Sequence, residues 1–138
     1  MSSSTTVAPP VMTGISPNIF VNDMRATIAF YERLGFQTTM SVPEPEKEGF
    51  VWVMMNNGTV SIMFQTFQSL GDTLPAISRQ DGGSLLLYIN LNNIRDFFEN
   101  IKDSVRIVAG LEKTFYGAVE FSILDNNNYV LTFAEHEG

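Results

Sequence analysis

The stretch from Val21 to Phe36 constrains the fold more than any other part of the chain. Ile19 and Val21 alternate with Asn18, Phe20 and Asn22, and residues two apart share a face in a strand. Asp23 follows, and its carboxylate suits an N-cap because it can accept from the free amides of a first helical turn. Met24, Ile28, Tyr31 and either Phe30 or Leu34 then recur three or four apart, which predicts one apolar helix face over residues 24–34. Gly35 stands where the chain leaves that helix, a place that often needs positive φ. The run therefore reads as strand, helix, turn and strand.

The same order comes twice. After a first strand over 14–21 and the helix, Phe36 to Val42 reads as a strand rich in Thr, Val and Phe. A loop with two prolines follows at 43–49. Phe50 to Met55 is apolar throughout and is expected to be a strand buried on both faces. Asn56-Asn57-Gly58 is expected to turn the chain into its partner strand, Thr59 to Thr66. Phe67 to Gly82 reads as a crossover with a short helical turn. Ser84 to Leu91 is then a strand. Asn92 or Asn93 is expected to cap a helix from Ile94 to Lys102, and Val105 to Val108 is a short strand followed by a loop over 110–115. Residues 118–124 and 129–134 form a hairpin around Asp125-Asn126-Asn127-Asn128. Phe30-Tyr31-Glu32-Arg33-Leu34 of the first helix is echoed by Phe97-Phe98-Glu99-Asn100-Ile101. The expected fold class is α+β: two tandem βαβββ modules, about 14–66 and 83–135, whose curved mixed sheets surround a cavity with helices on the outer face. Residues 1–13 read as a flexible tail, and 14–138 as one domain.

Two segments carry a family resemblance. Val21-x-Asp23-x(6)-Phe30-Tyr31-x-x-Leu34-Gly35-Phe36 resembles the opening signature of the vicinal oxygen chelate superfamily, which includes glyoxalase I, bleomycin-resistance proteins and extradiol dioxygenases. Tyr116-Gly117…Glu120-Phe121…Asp125, with Tyr129 and Phe133, is similar to the C-terminal hairpin of bleomycin-resistance-like members. Here Asn126 and Asn128 replace the Pro and Gly of that turn. Metal-using members carry four His, Gln or Glu ligands, one on each of four strands. Carried onto this sequence, the four places fall at Ser16, Met63, Leu86 and Thr132, with Gln65 on the face of Met63. That set does not suit a metal, since leucine has no donor atom at all. The resemblance thus implies a metal-free, bleomycin-resistance-like member with no cofactor.

Composition narrows the function further. The one histidine, His136, lies two residues from the end and is expected to be solvated, so no His-His-Glu site can form within one chain. There is no cysteine, which excludes disulfides and thiolate sites. With 8 basic and 15 acidic residues the formal charge is −7, which argues against nucleic acid as a partner. No apolar run reaches the roughly 20 residues of a membrane span, and the first residues lack a signal-peptide layout, so a cytoplasmic protein is expected. Glu120 is unusual inside a strand, where it either pairs at the sheet edge or meets a cationic ligand group.

What remains is a lining. Ser16, Asn18, Phe20, Ser61, Met63, Gln65, Leu86, Tyr88, Asn90 and Thr132 are expected on the cavity face, with Phe50, Trp52 and Met54 on one face of their strand and Phe115 and Tyr116 arriving from a loop. From these, Phe20, Trp52, Met63, Gln65, Leu86, Tyr88, Tyr116, Glu120 and Thr132 are the expected ligand contacts, and no catalytic residue stands out. Apolar walls with a few neutral polar groups suit a small molecule. The apolar face left open by each module also suits a homodimer. Three functions stay open: a metal-independent binding protein for an aromatic or amphipathic ligand, a glyoxalase-like lyase or isomerase with an unusual ligand set, and a structural dimer with a vestigial pocket.

Overall fold

The computed structural model describes residues 8–137. Strand β1 (Asn18–Val21), helix α1 (Met24–Arg33) and strands β2 (Gln37–Pro43), β3 (Phe50–Asn57) and β4 (Val60–Thr66) form the first module. A one-turn helix, α2 (Phe67–Leu70), opens the crossover. Strand β5 (Leu86–Asn90), helix α3 (Ile94–Ile101) and strands β6 (Arg106–Lys113), β7 (Ala118–Leu124) and β8 (Val130–His136) form the second. Each module makes its own four-stranded mixed sheet, in the orders β1-β4-β3-β2 and β5-β8-β7-β6. In both, the strand before the helix pairs in parallel with the last strand of its module, and the other two follow antiparallel. The α+β class and the double βαβββ order read from the sequence are those of the structure. No helix among the described residues is long and apolar enough to cross a membrane.

Alternation decides the faces. Ile19, Val21, Val53, Met55, Ile62 and Phe64 are buried on the helix side of the first sheet, as are Val119, Phe121, Ile123, Leu131 and Phe133 on the second. These residues join one core together with Phe30, Tyr31, Leu34, Ile94 and Ile101 of the helices. Each fully buried side chain of this kind contributes about 1.5–3 kcal/mol. The helix-facing sides of both sheets thus share one interior, while the opposite face of each sheet is open.

A buried polar junction fastens the modules. The Tyr31 hydroxyl donates to Asp125 Oδ2 at 2.6 Å. Asp125 Oδ1 accepts from the amides of Asn127 at 2.8 Å and Tyr129 at 2.9 Å, which closes the β7–β8 turn locally. Asn126 and Asn127 both donate to Thr27 Oγ1 at 3.1 Å. The Tyr129 hydroxyl donates to the Phe20 carbonyl at 3.1 Å. Burial is the main reason the Tyr31 hydroxyl is held well above the ordinary tyrosine range, with Asp125 adding to it. Burial likewise pushes the Asp125 carboxyl up, partly opposed by its hydrogen bonds to Tyr31, Tyr129 and Asn127. Two glycines permit the surrounding close approaches. Gly35 has φ +99°, and a Cβ there would lie 2.9 Å from Asn57 Nδ2. Gly82 has φ +74°, and its Cβ would meet the Asn128 carbonyl oxygen at 2.6 Å.

The structure corrects the sequence reading at several places. Regular structure in β1 starts at Asn18, and residues 14–16 before it are exposed. Strand β3 alternates between half-buried and buried positions instead of being buried on both faces, because only its helix side meets the core. The β3–β4 turn is Gly58-Thr59, with Asn57 paired to Val60. Strand β6 runs on to Lys113 where a loop was expected from Gly110, and its pairing with β7 shifts register twice on the way. Asn93 occupies the N-cap of α3 with φ 61° but makes no side-chain cap. Glu135 of β8 caps the helix instead, its Oε1 accepting from the Ile94 amide at 3.1 Å. Of the expected N-terminal tail, residues 1–7 lie outside the described residues, and 8–13 are exposed and carry no regular structure.

Candidate functional site

The open face of the first sheet is set by cross-strand register. Phe20, Gln65 and Trp52 form one row, and Asn18, Met63 and Met54 the next. Val42 and Met40 continue the rows on β2. The ring of Phe20 also meets Phe67 of α2 at 6.1 Å. Asn18 Nδ2 donates to Gln65 Oε1 at 3.0 Å. Asn18 Oδ1 and Ser61 Oγ are buried and have no partner among the described residues. An unpaired buried acceptor is costly, so this face holds unmet hydrogen-bonding capacity among apolar side chains.

The open face of the second sheet follows the same rule with different residues. Leu86, Val130 and Leu124 form one row, Tyr88, Thr132 and Ser122 the next, and Asn90, Ala134 and Glu120 a third. Thr132 is buried, its hydroxyl within 2.8 Å of Ser122 Oγ. Because Thr132 and Ala134 on β8 are small, the Tyr88 side chain can lie across that strand to Glu120 on β7. The Tyr88 hydroxyl donates to Glu120 Oε2 in a short hydrogen bond. The Tyr116 hydroxyl donates to the same oxygen at 2.5 Å. His136 Nε2 lies 3.3 Å from the Tyr88 hydroxyl. The hydrogen bond to Glu120 is the main reason both phenols are held above the ordinary tyrosine range.

The residues expected to line one cavity fall into two groups on separate sheets, and the structure does not bring the two groups together. Phe20, Trp52, Met63 and Gln65 share the first sheet; Leu86, Tyr88, Tyr116, Glu120 and Thr132 belong to the second. No strand of one sheet pairs with a strand of the other. Leu86 is 50% exposed and Tyr88 42%, with Met40, Val42 and Phe50 also exposed on the first module. Glu120 is not in an ion pair among the described residues; two phenols hold it instead. His136 is exposed, as expected of a solvated residue near the end. It is the last residue of β8, paired with Ala118, and it shares a face with Thr132 and Ala134. The period-two pattern of that strand, carried two residues further, would have placed it there.

The donor set at the four places where the family carries metal ligands is poor. Ser16 is exposed and precedes β1. Met63 offers a thioether, Leu86 nothing, and the Thr132 hydroxyl is engaged with Ser122. These residues do not fit a divalent metal.

Concavities are also found elsewhere on the chain. A cleft of about 730 Å³ separates α1 from the β2–β3 loop and is lined by Arg25, Ile28, Glu32, Glu44, Glu48 and Phe50 among others. Its walls are an exposed helix flank and a charged loop, and Phe50 is its one aromatic lining residue. A smaller one of about 410 Å³ lies between the modules, against Leu34, Phe36, Ile89, Phe97 and Phe133.

Two modules of this order, each with a helix on one face and an open face opposite, are matched by known proteins. Residues 11–133 match the Glyoxalase/Bleomycin resistance protein/Dioxygenase superfamily. The chain belongs to that superfamily. Among solved structures it is similar to a glyoxalase/bleomycin resistance protein/dioxygenase family enzyme from Burkholderia phytofirmans PsJN. That match has 21% identity over 88% of this chain and 97% of the other, with a TM-score of 0.72. It is also similar to a bleomycin resistance determinant encoded on the transposon Tn5, at 20% identity over 92% and 100% of the two chains, TM-score 0.64. A third is a bleomycin-binding protein complexed with bleomycin, at 21% identity over 91% and 100%, TM-score 0.62. At these identities the likeness is one of fold. No curated protein sequence matches the chain significantly.

Proposed function

We propose that this superfamily member is a cytoplasmic, metal-independent small-molecule binding protein that takes an aromatic or amphipathic ligand on its open sheet faces. One observation carries the reading: each open face sets exposed or half-buried aromatic and apolar side chains around a few hydrogen-bonding groups, and among the described residues only Phe67, against Phe20, packs onto these side chains from a helix. Phe20, Trp52 and Met63 with Gln65 offer one half of such a lining, and Leu86, Tyr88 and Tyr116 with Glu120 and Thr132 the other. The unsuitable donor set at Ser16, Met63, Leu86 and Thr132 supports binding without metal. The bleomycin-binding neighbour supports a ligand-holding role for the fold.

The two half-linings lie on separate sheets of one chain, so a complete pocket needs a second copy. In this reading the protein is a homodimer, with the first-sheet face of one protomer opposite the second-sheet face of its partner. Mass spectrometry of small molecules released from purified protein is expected to find one aromatic or amphipathic compound per chain. Adding that compound to stripped protein should change the emission of Trp52, the one tryptophan in the chain. Light scattering should give twice the monomer mass of 15.4 kDa at micromolar concentration. A monomer overturns the shared pocket, and one tightly held metal per chain overturns the metal-free reading.

A further inference from the structure

The second open face holds a carboxylate with two phenols and no cation. Both hydroxyls point to Glu120 Oε2, and Oε1 receives no side-chain hydrogen bond among the described residues. No Lys or Arg of the described residues pairs with it. The aromatic rings of the cluster lie near one another at different inclinations. Tyr88 and His136 have centroids 6.2 Å apart at 57°, and Tyr116 and His136 6.4 Å apart at 36°. Phe115 meets Tyr116 edge-on at 5.0 Å and is fully exposed at the rim. The hydrogen bonds to Glu120 hold the phenols above their ordinary range, so they remain neutral donors.

We propose that Glu120, Tyr88, Tyr116 and Phe115 form a binding site for a protonated amine, the charged end of a ligand whose apolar body lies along Leu86 and Val130. A protonated amine can donate to Glu120 Oε1 while its carbon-bound hydrogens meet the electron-rich ring faces. A small inorganic cation gains little here. Calcium needs six to eight oxygen ligands and magnesium a near-octahedral set, and one carboxylate with two donating phenols supplies neither. The formal charge of −7 adds long-range attraction for cations.

This inference rests on the binding reading above and specifies the charge of the ligand. It is tested on the full-length chain with two probes of nearly equal shape, phenethylammonium and neutral 2-phenylethanol, by calorimetry and by aromatic NMR shifts of Tyr88 and Tyr116. Phenethylammonium should bind at least tenfold more tightly than 2-phenylethanol and should move both tyrosine signals. Glu120→Gln should abolish that preference. Glu120→Asp, which keeps the charge but withdraws it from the phenols, should reduce it several-fold. Glu32→Gln removes one negative charge from the cleft beside α1 and should leave the preference intact.

A preference that survives Glu120→Gln, or that falls equally with Glu32→Gln, would mean general attraction to an acidic protein and would overturn the site. Equal binding of the two probes would overturn the amine specificity while leaving small-molecule binding standing. Binding of neither probe would also overturn it, and the released-ligand analysis judges the binding reading separately. Circular dichroism of each variant shows that a loss is not unfolding.

Discussion

The two modules share one order of elements but use it differently. In the first, α1 spans ten residues and is capped from within, Asp23 Oδ1 accepting from the Ala26 amide at 3.0 Å. In the second, α3 spans eight residues and takes its cap from Glu135, 41 positions later in the chain. Tyr31 of α1 is wholly buried against Phe36 and Phe64 and bonds across to Asp125. Its counterpart by the sequence repeat, Phe98, is half-buried against Phe121 and has no polar bond to give. The open faces differ as well: neutral amides and thioethers on the first, a phenol-bound carboxylate on the second. Repetition of a fold unit thus preserves the apolar periodicity and leaves caps, junctions and ligand chemistry free to diverge.

The largest test of this comparison is at the repeated phenylalanines. The sequence makes Phe30 and Phe97 equivalent, but Phe30 is buried while Phe97 is half-buried beside the small gap between the modules. Phe30→Ala should cost about 3–5 kcal/mol by urea denaturation, and Phe97→Ala less than about 3 kcal/mol. Equal losses would restore the symmetry that the burial difference denies.

Next is the junction. Tyr31→Phe leaves Asp125 Oδ2 buried without its donor and should cost about 1–3 kcal/mol. Loss of less than about 0.5 kcal/mol would show that the Tyr31–Asp125 hydrogen bond adds nothing net to the junction.

The caps are expected to be smaller. Asp23→Ala and Glu135→Ala should each cost about 1 kcal/mol. Asp23→Ser keeps a local cap and should restore most of the first loss. Glu135→Asp is one methylene shorter and should not reach Ile94 from β8. If both conservative changes behave alike, the local and tertiary caps are equivalent after all.

The subtlest effect is in pH. Burial raises the folded-state pKa of Asp125 above its ordinary value, so the folded protein binds that proton more tightly than the unfolded chain. The resulting stabilisation is complete below the unfolded pKa of about 3.9 and is lost as pH rises through the higher folded value. Wild type should therefore gain stability relative to Asp125→Asn as pH falls from neutrality toward 4. A difference between the two that stays constant over that range would mean the carboxyl titrates as in the unfolded chain.

The sequence by itself determined which elements form and which side of each strand turns to the core. Ile19/Val21, Ile62/Phe64 and Leu131/Phe133 alternate with neighbours on the open faces, and a period of two is written in adjacent residues. The family signature at 21–36 and the hairpin at 116–133 were legible for the same reason. Tertiary structure alone decided that Glu135 caps α3, that Tyr31 finds Asp125, and that Tyr88 crosses β8 to share Glu120 with Tyr116. It also decided that the two half-linings stand on separate sheets. Strand order and long-range register set these pairings. They depend on how segments tens of residues apart bury a common core, and no local period records that.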